Sequence, residues 1–102
     1  MIYNKAIRDK IPEIIKKSGC DYNVKTLSNE EFLSKLEEKL SEELKEYQES
    51  KSVEELADIL EVIYRISQIR GTSPESLEKI RQEKIQKRGA FEQNVFLIDT
   101  TD

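Results

Sequence analysis

Hydrophobic residues recur at helical spacing through two long stretches, residues 28–50 and 53–70. Apolar positions three or four residues apart lie on one face of a helix. In the first stretch they are Leu33, Leu36, Leu40, Leu44 and Tyr47. In the second they are Leu56, Ile59, Ile63 and Ile66, with Leu60, Val62 and Ile69 widening the stripe. The pattern predicts two amphipathic helices, of which the second is apolar on several sides and therefore central.

Helix start and stop signals delimit four helical segments. The residues Ser28-Asn29-Glu30-Glu31 match a capping box at the start of the second helix. A fourth helix is predicted from Pro74 to about Lys87, because Ser73 suits the N-cap and proline suits the first helical position. A first, short helix is predicted over residues 9–18, with Pro12 in its first turn.

The remaining segments predict little regular structure. Polar and apolar residues alternate over residues 22–27, and residues 95–98 are also strand-like, so we expect the two to pair. We expect residues 1–98 to form a single domain and residues 99–102 a frayed tail. The segment before that tail should pack through Phe91, Val95, Phe96 and Leu97. The fold class is thus all-α, a bundle of about four helices with a minor two-stranded β element.

Composition narrows both the architecture and the chemistry. Charged residues make up 37% of the 102 residues and hydrophobic residues 36%, which indicates thin helices whose apolar surface a second copy completes. The absence of histidine excludes Ser-His-Asp and Cys-His catalysis and His-ligated zinc. With one cysteine and no apolar run of membrane-spanning length, we expect a cytoplasmic protein. The net charge of −4 disfavours a nucleic-acid polymer as partner.

Two acidic clusters fall on consecutive predicted helices. Glu42, Glu43 and Glu46 lie on the second helix, and Glu55 and Asp58 lie on the third. Carboxylates three positions apart share a helix face, so two antiparallel helices can bring four carboxylates together. Such a group suits a hard cation such as Mg²⁺, although a solvated acidic face gives the same spacing.

Helix geometry separates these acids. At about 100° per residue, Glu55 projects about 40° from Ile59, at the centre of the apolar arc of its helix. By the same construction Glu43 lies about 60° from Leu40, whereas Glu42 lies nearly opposite the apolar stripe. Ionised glutamate is almost never buried unless it is paired or binds a metal. Solvation therefore explains Glu42 better than it explains Glu43 or Glu55.

Cationic residues complete the candidate chemistry. Lys84 and Arg88 share a face of the fourth helix, and Arg8 and Lys10 stand just before Pro12. Each pair has an ordinary structural explanation, as helix-end charges. Taken together with the carboxylates, they predict one site in which carboxylates hold Mg²⁺ and cations neutralise a polyphosphate. Without histidine, the simplest nucleophile is a metal-activated water that a carboxylate orients or deprotonates.

The clusters and their flanking residues resemble the signature of the all-α nucleotide pyrophosphohydrolases. That superfamily includes MazG-like proteins, phosphoribosyl-ATP pyrophosphatases and dimeric dUTPases. Glu42-Glu43-x-x-Glu46 followed by Glu55-x-x-Asp58 is similar to its EExxE…ExxD motif. Tyr3-Asn4-Lys5, Arg8-Asp9-Lys10-Ile11-Pro12 and Lys84…Arg88-Gly89 resemble a small single-domain MazG-like subgroup, although Ala90 stands where a second glycine is expected.

The resemblance implies hydrolysis of a nucleoside triphosphate to the monophosphate and pyrophosphate. It implies Mg²⁺ or Mn²⁺ as cofactor and a homodimer or homotetramer. Carried over by position, the metal ligands are Glu43, Glu46, Glu55 and Asp58, and Glu42 is the leading glutamate of the signature. Lys84 and Arg88 match a basic motif that contacts phosphates, and Arg8 and Lys10 are further phosphate-binding candidates.

Two alternatives stay open at the level of the sequence. One is phosphoribosyl-ATP hydrolysis. Enzymes with different substrates share the signature, and no motif in the sequence identifies residues that recognise a particular nucleobase. The other is a helical oligomerisation or regulatory module without catalysis. In that case Glu43 and Glu55 would pair with lysine or arginine instead of a metal.

Overall fold

A computed structural model describes residues 1–101, and α-helices are the only regular secondary structure in that range. Its four helices are α1 (Ile11–Lys17), α2 (Asn29–Ser50), α3 (Val53–Ile69) and α4 (Pro74–Arg88). The all-α prediction is confirmed, and the bounds of α2, α3 and α4 agree with the predicted ones to within a residue or two. None of the helices in residues 1–101 is long and apolar enough to cross a membrane.

The helix ends follow the capping signals in the sequence. The hydroxyl of Ser28 accepts a hydrogen bond from the Glu31 backbone N–H at 3.2 Å, and the Glu31 carboxylate accepts from the Ser28 backbone N–H at 3.3 Å. This reciprocal pair is the predicted capping box. The Ser28 hydroxyl also donates to the Glu31 carboxylate at 3.0 Å, and this bond, followed by the one from the Ser28 backbone N–H, lowers the pKa of the Glu31 carboxyl. At the start of α3 and α4, the hydroxyls of Ser52 and Ser73 are simple N-caps that accept from the backbone N–H groups of Glu54 and Ser76.

Helices α2 and α3 form an antiparallel hairpin with a very short connection. Lys51 adopts a left-handed conformation with φ of 59°, and its N–H donates to the Tyr47 carbonyl at 2.7 Å. At the far end of the hairpin, Arg70 Nη2 lies 3.3 Å from Glu37 Oε2. The C-terminal half of α2 therefore faces the first turns of α3.

The apolar core is small and includes a residue from outside the helices. Ala6 is buried together with Leu36 of α2 and Val62 of α3. Half-buried hydrophobic residues pack around these three, namely Phe32, Leu40, Ile66 and Ile69. Because Ala6 sits over the hairpin, the N-terminal segment is held against α2 and α3.

Helix α4 leaves the hairpin. Gly71, with φ of 91°, ends the preceding helix, and the Ser67 hydroxyl donates to the Thr72 carbonyl at 2.7 Å. Among the helices of residues 1–101, α4 packs on α3 alone and buries none of its residues. The radius of gyration is 17.9 Å, against about 13 Å for a compact chain of this length.

The predicted two-stranded β element is wrong. Within residues 1–101 there is no strand, so residues 22–27 and 95–98 do not pair. Val24 and Val95 are both exposed, so the apolar positions of the alternating pattern pack against no other element. An isolated two-stranded hairpin is only marginally stable in water, and no third strand supports one here.

The expected packing of residues 90–98 is also contradicted. Phe91 is fully exposed and Phe96 is 86% exposed, and Val95 and Leu97 are exposed as well. They follow α4, which has only α3 beside it, so a single chain offers them no second layer to pack against. Residues 99–101 have no regular secondary structure. The last residue of the predicted tail, 102, lies outside the described range.

Candidate metal centre

Three carboxylates converge between α2 and α3. One carboxylate oxygen each of Glu43, Glu55 and Asp58 lies within 4.8 Å of the others. Glu43 comes from the C-terminal half of α2, and the other two come from the first turns of α3. The antiparallel hairpin therefore brings together three of the four carboxylates that the sequence pattern assigned to one site.

Glu43 is the most unusual member of this acidic triad. It is only 7% exposed, the one buried charged residue among residues 1–101. Lys39, one turn earlier on α2, places its Nζ 3.5 Å from Glu43 Oε1. The second oxygen, Oε2, is buried without a hydrogen-bond partner. A buried carboxylate oxygen left unsatisfied is costly, and it marks a position where an added donor or cation would be stabilised.

Burial, and then the charges of neighbouring carboxylates, affect the protonation of two members of the triad. Burial, and then the negative charge of Glu46, raise the pKa of the Glu43 carboxyl, against the attraction of Lys39. Partial burial, and then the charges of Asp58 and Glu43, raise the pKa of the Glu55 carboxyl. Perturbed carboxylates in a cleft are typical of functional sites.

Glu46 lies at the edge of the triad. It is exposed, and it lies close enough for its charge to act on the Glu43 carboxyl. Three of the four sequence-predicted ligands are thus close enough to share a cation, with Glu46 beside them. Glu42 is not a member of the triad; it is half-buried, and its Oε1 lies 3.7 Å from Lys5 Nζ.

The donor set fits a hard divalent cation. Oxygen ligands from carboxylates are what Mg²⁺ and Mn²⁺ select, and both ions keep several waters in their coordination shell. Glu43 contributes an oxygen to the group of three, and its Oε2 has no hydrogen-bond partner, so the carboxylate keeps an unused acceptor. The residues present therefore fit the magnesium ion that the sequence predicted, and Glu43, Glu55 and Asp58 would hold it.

A cation from the N-terminal segment contacts the triad. Arg8 Nη2 donates to Asp58 Oδ1 at 2.6 Å. Arg8 and Asp58 also line a cleft of about 240 Å³ that opens onto the triad. Its walls are formed by the N-terminal segment, α2 and α3, through Lys5, Ile7, Arg8, Ile11, Lys39, Glu43 and Asp58. We call it the inner cleft.

A second cleft adjoins the first along the same segment. This outer cleft, of about 340 Å³, lies between residues 2–5 and the outer side of α2. Its lining residues are Ile2, Tyr3, Asn4, Lys5, Lys35, Glu38, Lys39 and Glu42. Lys5 and Lys39 line both clefts, so the two meet at these lysines.

The other predicted phosphate-binding residues lie elsewhere in the single chain. Lys10 is exposed at the N-cap of α1. Lys84 and Arg88 are exposed on α4, and neither lines the inner or the outer cleft. Of the four predicted cations, the structure thus brings only Arg8 to the triad.

Two lysines near the triad, Lys5 and Lys39, were not among the predicted phosphate-binding residues, although Lys5 belongs to the Tyr3-Asn4-Lys5 segment noted in the sequence. Lys39 stands four residues before Glu43, a spacing that places both on one helix face and that could have identified the pair. Lys5 carries no such signal, because its position depends on how the N-terminal segment crosses α2.

Comparison of the chain with protein-family models, with curated proteins and with solved structures finds no match in any of the three. The resemblance to the MazG-like proteins therefore rests on the residues and spacings of the sequence itself.

Proposed function

We propose that the protein is a Mg²⁺-dependent nucleoside triphosphate pyrophosphohydrolase, with Mn²⁺ as a possible substitute. Water would add across the α–β phosphoanhydride bond, and nucleoside monophosphate and pyrophosphate would leave. The observation that carries the proposal is the convergence of Glu43, Glu55 and Asp58, in which the buried Glu43 carboxylate has one oxygen without a hydrogen-bond partner. A role in removing unwanted nucleotides from the cellular pool fits this reaction.

The chain's own residues divide the work as follows. Bound Mg²⁺ supplies positive charge toward phosphate oxygens and polarises a water molecule. Glu43, Glu55 and Asp58 would hold the ion, with Glu46 beside them. One carboxylate of this group would orient the attacking water or take its proton. Arg8, which lines the inner cleft next to Asp58, would neutralise phosphate charge.

Self-association is part of the proposal. The chain exposes 9279 Å² of surface, whereas a compact protein of this mass exposes about 5,900 Å². Large hydrophobic residues contribute to the excess, among them Leu44, Leu56, Leu60, Ile80 and Phe91. The excess is larger than the about 800 Å² that each partner loses in a standard interface. A homodimer or homotetramer would cover this surface and would bring α4, with Lys84 and Arg88, against another copy.

A helical module without catalysis is the second candidate. The ion pairs Arg8–Asp58 and Lys39–Glu43 favour it, because pairing with cations is the structural alternative to metal binding. The two candidates differ in what the cation does. A module would not respond to Mg²⁺, whereas the hydrolase would require it.

A turnover panel tests the proposal. Purified protein is incubated with canonical and modified nucleoside triphosphates and with phosphoribosyl-ATP, with and without Mg²⁺, and products are resolved by chromatography. Monophosphate and pyrophosphate that form only with the metal and disappear in Glu43→Gln would support the hydrolase. Diphosphate and phosphate would contradict the α–β position. No turnover together with no thermal shift on adding Mg²⁺ would favour the module.

A further inference from the structure

The inner and outer clefts adjoin along the N-terminal segment, and together we call them the groove. They share Lys5 and Lys39, and two members of the acidic triad, Glu43 and Asp58, line the inner cleft. At the outer end lie Ile2 and the ring of Tyr3, which is 66% exposed. The outer cleft alone reaches the lower end of the about 300–1,000 Å³ range of small-ligand pockets. The groove thus changes character along its length, from carboxylates through lysines to an aromatic ring.

Each of the two lysines that line both clefts is paired with a glutamate of α2, but only one of these glutamates belongs to the acidic triad. Lys39 Nζ lies 3.5 Å from Glu43 Oε1, a member of the triad, and Lys5 Nζ lies 3.7 Å from Glu42 Oε1, which is not. Lys39 is largely buried, so its charge is held in a poorly hydrated position. When Glu43 serves a divalent cation, Lys39 faces a positive neighbour and loses its counter-ion. Anionic phosphate oxygens then become its best available partner.

Tyr3 offers a stacking surface at the outer end. The ammonium of Lys5 lies over the ring, 5.4 Å from its centroid, at cation–π distance. Much of the ring is still open to the groove and to solvent. Aromatic side chains stack on nucleobases with little dependence on the base, at about 1–3 kcal/mol per base. A ring in this place suits a nucleobase without selecting one.

We propose that this groove is the nucleotide-binding subsite, in which Lys5 and Lys39 contact the polyphosphate and Tyr3 stacks on the base. The inference rests on the proposed function for the identity of the ligand, a nucleoside triphosphate. It assigns phosphate contacts within one chain to Lys5 and Lys39, neither of which belongs to the acidic signature or to the basic pair on α4. The orientation follows from the groove: phosphates lie next to the triad and the nucleoside lies toward Tyr3.

Binding of two probes separates the parts of this subsite. Inorganic tripolyphosphate and a nucleoside triphosphate with a non-hydrolysable α–β linkage are titrated by calorimetry in the presence of Mg²⁺. We expect Lys5→Gln and Lys39→Gln to weaken both probes about tenfold, the scale of one lost charge-assisted hydrogen bond. We expect Tyr3→Leu to weaken the nucleotide alone. Lys39→Arg keeps the charge next to Glu43 and should retain binding, which distinguishes a lost contact from a damaged fold.

The exposed Lys17 at the distal end of α1 provides the matched control, because Lys17→Gln removes the same charge outside the groove. If Lys5→Gln and Lys39→Gln bind both probes as wild type does, the groove assignment is overturned. If wild type hydrolyses nucleotides while these variants keep its KM, the groove fails and the proposed function stands. If wild type binds tripolyphosphate through both lysines but hydrolyses no nucleotide, the proposed function fails and the phosphate contacts stand. Binding of neither probe overturns both.

Discussion

Arg8 and Asp58, fifty residues apart in sequence, are joined by a hydrogen bond of 2.6 Å between Nη2 and Oδ1. The pair ties the N-terminal segment to the first turns of α3. It also places a fixed positive charge on a carboxylate of the acidic triad. In the protein without metal, the guanidinium therefore offsets part of the repulsion among the three carboxylates.

We expect Arg8→Gln to act in opposite directions on two ligands. Mg²⁺ alone should bind more tightly, because Asp58 no longer has to release a guanidinium. The Mg²⁺–nucleotide complex should bind more weakly, because a phosphate-neutralising charge is lost. The free energy of unfolding should fall by less than about 1 kcal/mol, since the pair is substantially exposed. Titration calorimetry with each ligand measures the effect, with Arg8→Lys as the charge-retaining control. Weaker binding of Mg²⁺ alone would contradict this account.

We expect Mg²⁺ to stabilise the folded protein through the triad. At a hundredfold excess over the dissociation constant, a ligand specific for the native state contributes about 2.7 kcal/mol. In a chain of this size each kcal/mol moves Tm by about 4–8 °C, so a clear upward shift should appear in a thermal melt. Glu43→Gln and Asp58→Asn should abolish the shift. Glu61→Gln removes an exposed carboxylate three residues beyond Asp58 and should keep it. An equal shift in all four proteins would show that the ion acts elsewhere.

Stability without metal should depend on pH through Glu43 and Glu55. The pKa of each is raised above the ordinary value of 4.5, so the folded state disfavours their ionised forms. The stability that they contribute is fully present below pH 4.5 and is lost as the pH rises through their folded pKa values. Glu43→Gln should therefore be more stable relative to wild type at neutral pH than it is in acid, because the substitution removes the cost of ionising Glu43 in the folded state. This gain should vanish toward pH 4.5. Urea denaturation at several pH values tests this, and a difference that grows in acid would contradict it.

Self-association should be visible in solution mass. Sedimentation analysis should give the mass of a dimer or a tetramer of the 11.9 kDa chain. Leu60, on the widened stripe of α3, is 46% exposed in the single chain, so Leu60→Glu should lower the mass by placing charge in the interface. Glu61→Gln, at the next position, is the control. Leu36→Ala should instead cost about 2–5 kcal/mol of stability, because Leu36 is buried within the chain. A monomer of wild type at all concentrations would refute the assembly.

The helices could be predicted because their signals are local. Apolar spacing, serine N-caps and the capping box at Ser28 all act within a few residues, and each is present in the structure. The burial of Glu43 could also be predicted from the sequence, because the angle between Glu43 and Leu40 around the helix axis follows from helix geometry alone. Its lysine partner one turn away follows from the same geometry.

The remaining features depend on contacts between distant segments. No spacing rule connects Arg8 to Asp58 or brings Lys5 to the outer cleft. The alternation over residues 22–27 failed as a strand signal because a strand needs a partner, and pairing is not encoded in the segment itself. The apolar residues after Gly89 were read as core for a similar reason, since their hydrophobicity does not say which chain they pack against.

The burial of Ala6 has a consequence for how this site can change over time. Ala6 lies between Lys5 and Ile7, and its contact with Leu36 and Val62 sets how closely the N-terminal segment approaches the hairpin. A larger side chain at this position would raise both Lys5 and Arg8 away from the carboxylates without altering a single charge. Selection for the activity would therefore be expected to keep position 6 small, and drift there would erode function through a residue that contacts no ligand.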